Sequence, residues 1–140
     1  MELEEKVRNK VKRKLRIDHK RLISSFSYAW DGIKQAYKGE QNLKIHTFVA
    51  ILVIIFGFFL KISRFEWIIC ILLIGLVLMA EFINTAIEYT VDLASSKIHP
   101  LAKAAKDTAS AGVLIISIIS AIIGIIIFAP KLYDFIIEIM

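Results

Sequence analysis

Glu81-Phe82-Ile83-Asn84-Thr85-Ala86-Ile87-Glu88-Tyr89-Thr90-Val91-Asp92-Leu93 follows directly on an almost wholly apolar run, Trp67 to Ala80. At about 100° per residue, Glu81, Asn84, Thr85, Glu88 and Asp92 fall on one side of a single helix. A helix that is apolar all round and then carries three acids on one side does not use them for solubility. Ionisable groups at or near membrane depth are costly, so such a stripe points to function.

The flanks place this helix in a membrane protein. Phe48 to Leu60 is uninterrupted apolar sequence, about 18 residues when Ile45 to Ile62 are included, close to the ~20 needed to cross ~30 Å of hydrocarbon. Lys61-Ile62-Ser63-Arg64 is so short a turn that the next segment runs antiparallel. That second span starts at Phe65, and its helix continues through the acidic stripe to about Leu93. Ser95, Ser96, His99 and Pro100 read as breakers in a loop from Ala94 to Lys106. A third span over residues 107–129 is apolar from Ala109 except for Ser110, Ser117 and Ser120, and Pro130 closes it. Ser110, Ser117, Ala121 and Gly124 share a face, the small-residue pattern that lets membrane helices approach closely.

Upstream, Phe26, Trp30, Ile33 and Tyr37 give residues 21–38 an aromatic face opposite Asp31, Lys34 and Lys38. This is a helix suited to the headgroup layer. Residues 1–20 place Leu3, Val7, Val11 and Leu15 on one stripe among seven Lys and Arg from Lys6 to Arg16. They read as a basic amphipathic extension on an anionic surface, or else as a solvated tail. The expected architecture is all-α and integral to the membrane, a surface helix followed by spans at about 45–62, 65–93 and 107–129.

Composition agrees. The chain is 57% hydrophobic with a net charge of +5 and a mean hydropathy of +0.66. In so apolar a chain the positive charge suits a lipid surface, not nucleic acid. Cys70 is the single cysteine, so neither an internal disulfide nor a cysteine metal site is available. The first twenty residues lack a signal-peptide core, and nothing looks cleaved. Twelve of the eighteen Lys and Arg precede the first span. Lys61 and Arg64 alone flank the first turn, Lys97, Lys103 and Lys106 the second loop, and Lys131 the tail. The positive-inside rule therefore puts the N-terminus and the acidic stripe on the cytoplasmic side of a cell membrane.

Glu40, Glu81, Glu88, Asp92 and Asp107 then gather at one boundary with Lys44, Lys103 and Lys106. Carboxylates with oxygen-rich neighbours suit Mg²⁺, which commonly takes one or two of them and completes its shell from phosphate and water. Nearby lysines would meet phosphate charge. Glu81, the most deeply placed, is the candidate general base on a lipid hydroxyl. A lone glutamate would simply anchor a helix end; a stripe of Glu81, Asn84, Glu88 and Asp92 asks for more. There is no P-loop and no kinase-type glycine loop, so a nucleotide site must be built another way. His19, His46 and His99 form no zinc spacing, and His46 reads as an interfacial residue. A three-span monomer has little interior in which to surround a nucleotide, which favours an oligomer.

Glu81-Phe-Ile-Asn-Thr-Ala-Ile-Glu88-x3-Asp92, followed by His99-Pro-Leu-Ala-Lys-x2-Lys106-Asp107, resembles the signature of the small prokaryotic diacylglycerol kinase family. Tyr28-Ala-Trp30-x-Gly32 and Glu40-x-Asn42-x-x-Ile45-His46 look especially like its undecaprenol kinase branch. The likeness runs in order from about Arg21 to Pro130. It implies a homotrimeric lipid kinase with shared sites at the cytoplasmic interface, moving the γ-phosphate of MgATP to a lipid alcohol. Glu81 matches the family's general base, and Glu40 and Glu88 its metal-binding carboxylates. Arg21, Tyr28, His99, Lys106 and Asp107, with Glu40 and Glu88, match nucleotide contacts. Asn84 and Asp92 match residues that organise the site; Trp30 and Ser110, with Glu81, match the lipid side. Relatives often read Glu-Tyr where this chain has Lys97-Ile98, so the likeness carries no nucleotide contact there. It is silent on residues 1–20. Undecaprenol is the expected acceptor and diacylglycerol the alternative. A non-enzymatic scaffold or ion-conducting subunit would instead show no ATP turnover, and a phosphatase would release phosphate without nucleotide.

Overall fold

The computed structural model describes residues 4–6, 19–94 and 99–140, with side chains in the second stretch from residue 21 onward. The expected basic extension lies outside the described residues except for residues 4–6, which are helical. Ser95, Ser96, Lys97 and Ile98 lie outside them too. Residues 1–38 and 39–140 form two compact units, each taken by itself. Four long helices follow in order: α1 (His19–Gly39), α2 (Gln41–Phe59), α3 (Arg64–Ala94) and α4 (Pro100–Ile139). The last three are long and apolar enough to cross a membrane, as the sequence led us to expect.

In the first unit α1 leaves Ile23, Phe26 and Trp30 exposed. Asp31, Lys34 and Lys38 are exposed on the same helix, and Lys34 pairs with Asp31 at 3.1 Å.

In the second unit α3 packs against both α2 and α4. The turn between α2 and α3 is stiffer than its length suggests. Ile62 N donates to Gly57 O at 3.1 Å and Lys61 N to Phe58 O at 3.3 Å. This paired pattern is a Schellman cap. Lys61 supplies its left-handed residue at φ 51°, a conformation glycine adopts more cheaply. Ser63 then starts α3 with a capping box. Ser63 Oγ accepts from Glu66 N at 3.3 Å, and Glu66 Oε2 accepts from Ser63 N at 2.5 Å. Beside the turn, Gly57 lets the Trp67 ring approach α2 closely. A Cβ there would come within 2.8 Å of the indole. Ile62, Cys70 and Ile127 form a small core with Val53, Trp67 and Phe128 around it.

Two breakers behave differently from the sequence reading. Pro100 does not lie within a loop running to Lys106; it opens α4, with His99 as N-cap accepting at Nδ1 from Leu101 N at 3.2 Å. Proline fits the first helical position because its missing N–H has no partner there anyway. Pro130 does not end the helix, which continues to Ile139. Membrane helices tolerate an internal proline because neighbouring groups can satisfy the carbonyl it frees.

Candidate active site

The two connections decide which side chains meet. Along α2 and α3, residues about equally far from the 61–63 turn face one another: Gly57 and Trp67, His46 and Glu81; just before α2, Gly39 meets Tyr89. Along α3 and α4 the rungs are Glu66 with Lys131 at 3.3 Å, Asn84 with Ser110 at 3.3 Å and Asp92 with Lys106 at 2.6 Å. Both ladders bring the polar stripe of α3 between polar groups of its neighbours.

Glu81 is 1% exposed, Asn84 5% and Thr85 3%. Thr85 Oγ1 donates to the Glu81 carbonyl at 2.9 Å, anchoring the turn locally. His46 Nε2 lies 3.1 Å from Glu81 Oε1. That is ion-pair distance, and Oε1 is buried with no hydrogen bond assigned to it. A buried acceptor left in this state costs free energy and needs an explanation. An incoming hydroxyl would satisfy it.

One turn on, Asn84 Nδ2 donates to Glu88 Oε1 at 2.9 Å while its Oδ1 accepts from Ser110 Oγ. A carboxylate only accepts, so Glu88 forces the amide orientation, and Ser110 receives the oxygen end. Glu40, between α1 and α2, makes no capping hydrogen bond with its side chain. The charges of Glu40 and Glu88 are both felt at Glu81. Among the described residues no three His, Cys, Asp or Glu side chains converge as a complete metal cage. Glu88, oriented by an amide, and Glu40, free of capping duty, are carboxylates of the kind Mg²⁺ takes when phosphate and water supply the rest.

Lys106 reaches Asp92, and Lys103 pairs with Asp107 one turn along α4. His99 stands at the head of the same helix. The structure thus gathers Glu81, Asn84, Glu88 and Asp92 on α3 with Lys106 and Ser110 of α4. Asp107 lies one residue past Lys106, and Glu40 immediately before α2. Arg21, Tyr28 and Trp30 lie on α1 in the other unit and are exposed on it. The sequence reading missed His46 as a site residue. The signal was available, because His46 and Glu81 are nearly equidistant from the turn.

The family model for prokaryotic diacylglycerol kinase matches residues 27–128 of the chain. The chain belongs to the prokaryotic diacylglycerol kinase family. It is 48% identical over 112 residues to the undecaprenol kinase of Bacillus subtilis strain 168, covering 80% of this chain and 91% of that one. A diacylglycerol kinase of Synechocystis is 38% identical over 112 residues, 79% of this chain and 64% of its own. The diacylglycerol kinase of Escherichia coli K12 is 31% identical over 102 residues, 73% and 84% of the two chains. As a member of this family the protein is a lipid kinase, a phosphotransferase whose acceptor is an alcohol. The matched region includes all four α3 polar residues and the α4 residues that meet them.

Proposed function

We propose that this kinase transfers the γ-phosphoryl group of ATP to the hydroxyl of undecaprenol, with Glu81 as general base. The observation that carries the reading is the Glu81 carboxyl, 1% exposed and with Oε1 lacking a directed donor. Such an oxygen is free to accept the hydroxyl proton as the lipid oxygen attacks phosphorus in line. Phosphoryl transfer needs mainly positioning and charge neutralisation, so a P-loop is dispensable. Glu40 and Glu88 would hold Mg²⁺, which would supply charge neutralisation to the phosphates. Asn84 keeps Glu88 aimed and ties it to Ser110 on α4. Lys106 and Asp107 would meet the nucleotide, with His99 and, from α1, Arg21 and Tyr28. Trp30 and Ser110 would line the lipid side, and Asp92 holds the Lys106 ammonium in place.

The distribution of Lys and Arg supports a cytoplasmic N-terminus and a site facing the compartment that supplies ATP. Many apolar side chains of α2, α3 and α4 remain exposed. That supports a homotrimer in which neighbouring chains complete each site. The preference for undecaprenol is supported by the greater identity to an undecaprenol kinase than to the diacylglycerol kinases. Diacylglycerol remains the alternative, since both lipids present a hydroxyl at the interface.

The test is transfer of radiolabelled γ-phosphate from ATP in mixed micelles, with undecaprenol and diacylglycerol at equal surface concentration. Preferential label in undecaprenol is expected. Preference for diacylglycerol would overturn the acceptor, and label in neither lipid with folded protein and Mg²⁺ would overturn the assignment.

A further inference from the structure

We propose that His46 is the proton exit of the site, resetting Glu81 after each phosphoryl transfer. The inference rests on Glu81 being the base. In the transfer the lipid O–H bond breaks and an O–P bond forms. The bond from the γ-phosphorus to the bridging oxygen breaks, with its electron pair leaving on ADP. The proton stays on the Glu81 carboxyl. Before another hydroxyl can be activated, that proton has to reach water.

Glu81 cannot deliver it alone, being 1% exposed. The charged groups felt there besides His46 are Glu40 and Glu88, the two carboxylates placed to hold metal. From α4, Ser110 is engaged with Asn84, and Ser117 and Ser120 lie deeper, in the wall of an apolar cavity. His46 is different. Its Nε2 lies 3.1 Å from Glu81 Oε1 while its side chain is 25% exposed. One ring therefore spans from the buried carboxyl to the surface of the chain. Imidazole accepts a proton at one nitrogen and releases one from the other near neutral pH, which a carboxylate or an amide in the same place does not. The same ring borders a cavity of about 320 Å³ between α2, α3 and α4, also lined by Val49, Val77 and Ser117. Removing the imidazole would leave space continuous with that cavity, large enough for a free imidazole molecule to enter.

The experiment uses the full chain in mixed micelles and compares wild type, H46A and H46Q at saturating ATP and lipid. Both variants should lose about tenfold or more in kcat, less than the ~10²–10⁴-fold of a direct proton-transfer group, with KM for ATP and lipid unchanged. Added imidazole should restore turnover to H46A but not to H46Q. H46Q, which keeps bulk and a hydrogen-bonding end, also covers the case in which H46A does not fold. Its turnover should slow more in D₂O than that of wild type. Wild-type turnover in H46Q would show that the ring only fills or pairs, overturning the relay, as would folded H46A indifferent to imidazole. A wild-type protein that labels no lipid would instead overturn the kinase assignment, so the two failures are distinguishable.

Discussion

Replacing Glu81 with Gln separates chemistry from stability. The side chain is 1% exposed, so water cannot readily stand in for the missing base. The loss should therefore approach the full contribution of a positioned base, ~10²–10⁴-fold in turnover, or about 3–5 kcal/mol in the barrier. Folding should respond in the opposite direction. Oε1 has no directed donor, and a buried acceptor in that state costs roughly 1–3 kcal/mol. Glutamine has the same shape, removes the charge and adds a donor on the His46 side. E81Q should thus be at least as resistant as wild type to unfolding by SDS in mixed micelles, while initial rates of labelled phosphate transfer collapse. Turnover within about tenfold of wild type would refute the base assignment, because a positioned base contributes more than that. Loss of activity accompanied by loss of stability would refute it in another way, by making Glu81 a structural residue.

Glu88→Gln should raise the Mg²⁺ concentration needed for half-maximal turnover, since an amide oxygen is a weaker ligand for a hard cation than a carboxylate. An unchanged Mg²⁺ titration would contradict its role as ligand. Gly57→Val should lower stability by ~1–3 kcal/mol, the usual effect of overpacking, because its Cβ would lie 2.8 Å from the Trp67 ring. SDS unfolding that matches wild type would show that the indole moves aside freely.

Much of the fold and part of the site could be read from residues in order. Spans announce themselves by unbroken apolar length, and the stripe from Glu81 to Asp92 by helical periodicity, because both signals are local. The structure adds that Asn84 joins Glu88 to Ser110 and that Lys106 meets Asp92. The partners across α3 and α4, Asn84 with Ser110 and Asp92 with Lys106, are 26 and 14 residues apart, which no helical periodicity encodes. Pro100 and Pro130 differ from the expectation for a related reason. A proline signals a break only where an N–H is needed, and that depends on its position within the helix and on what packs beside it.

His46 escaped for a third reason, which says how the site is made. Taken by itself it is a histidine near the end of a span, and most such residues face the interface. Its meaning comes from the turn. The Schellman cap at Lys61 and the capping box from Ser63 to Glu66 fix both ends of the connection. The phase of α3 against α2 is thereby set to within a fraction of a helical turn. One residue more or fewer in that turn would rotate α3 by about 100°. Glu81 would then face lipid or α4, away from His46. A left-handed Lys61 is disfavoured locally, as any non-glycine residue is in that region. What it secures lies far along the bundle, where a buried carboxyl needs one particular neighbour. The site is therefore specified twice, once by the stripe of polar residues on α3 and once by a turn at the opposite end of that helix.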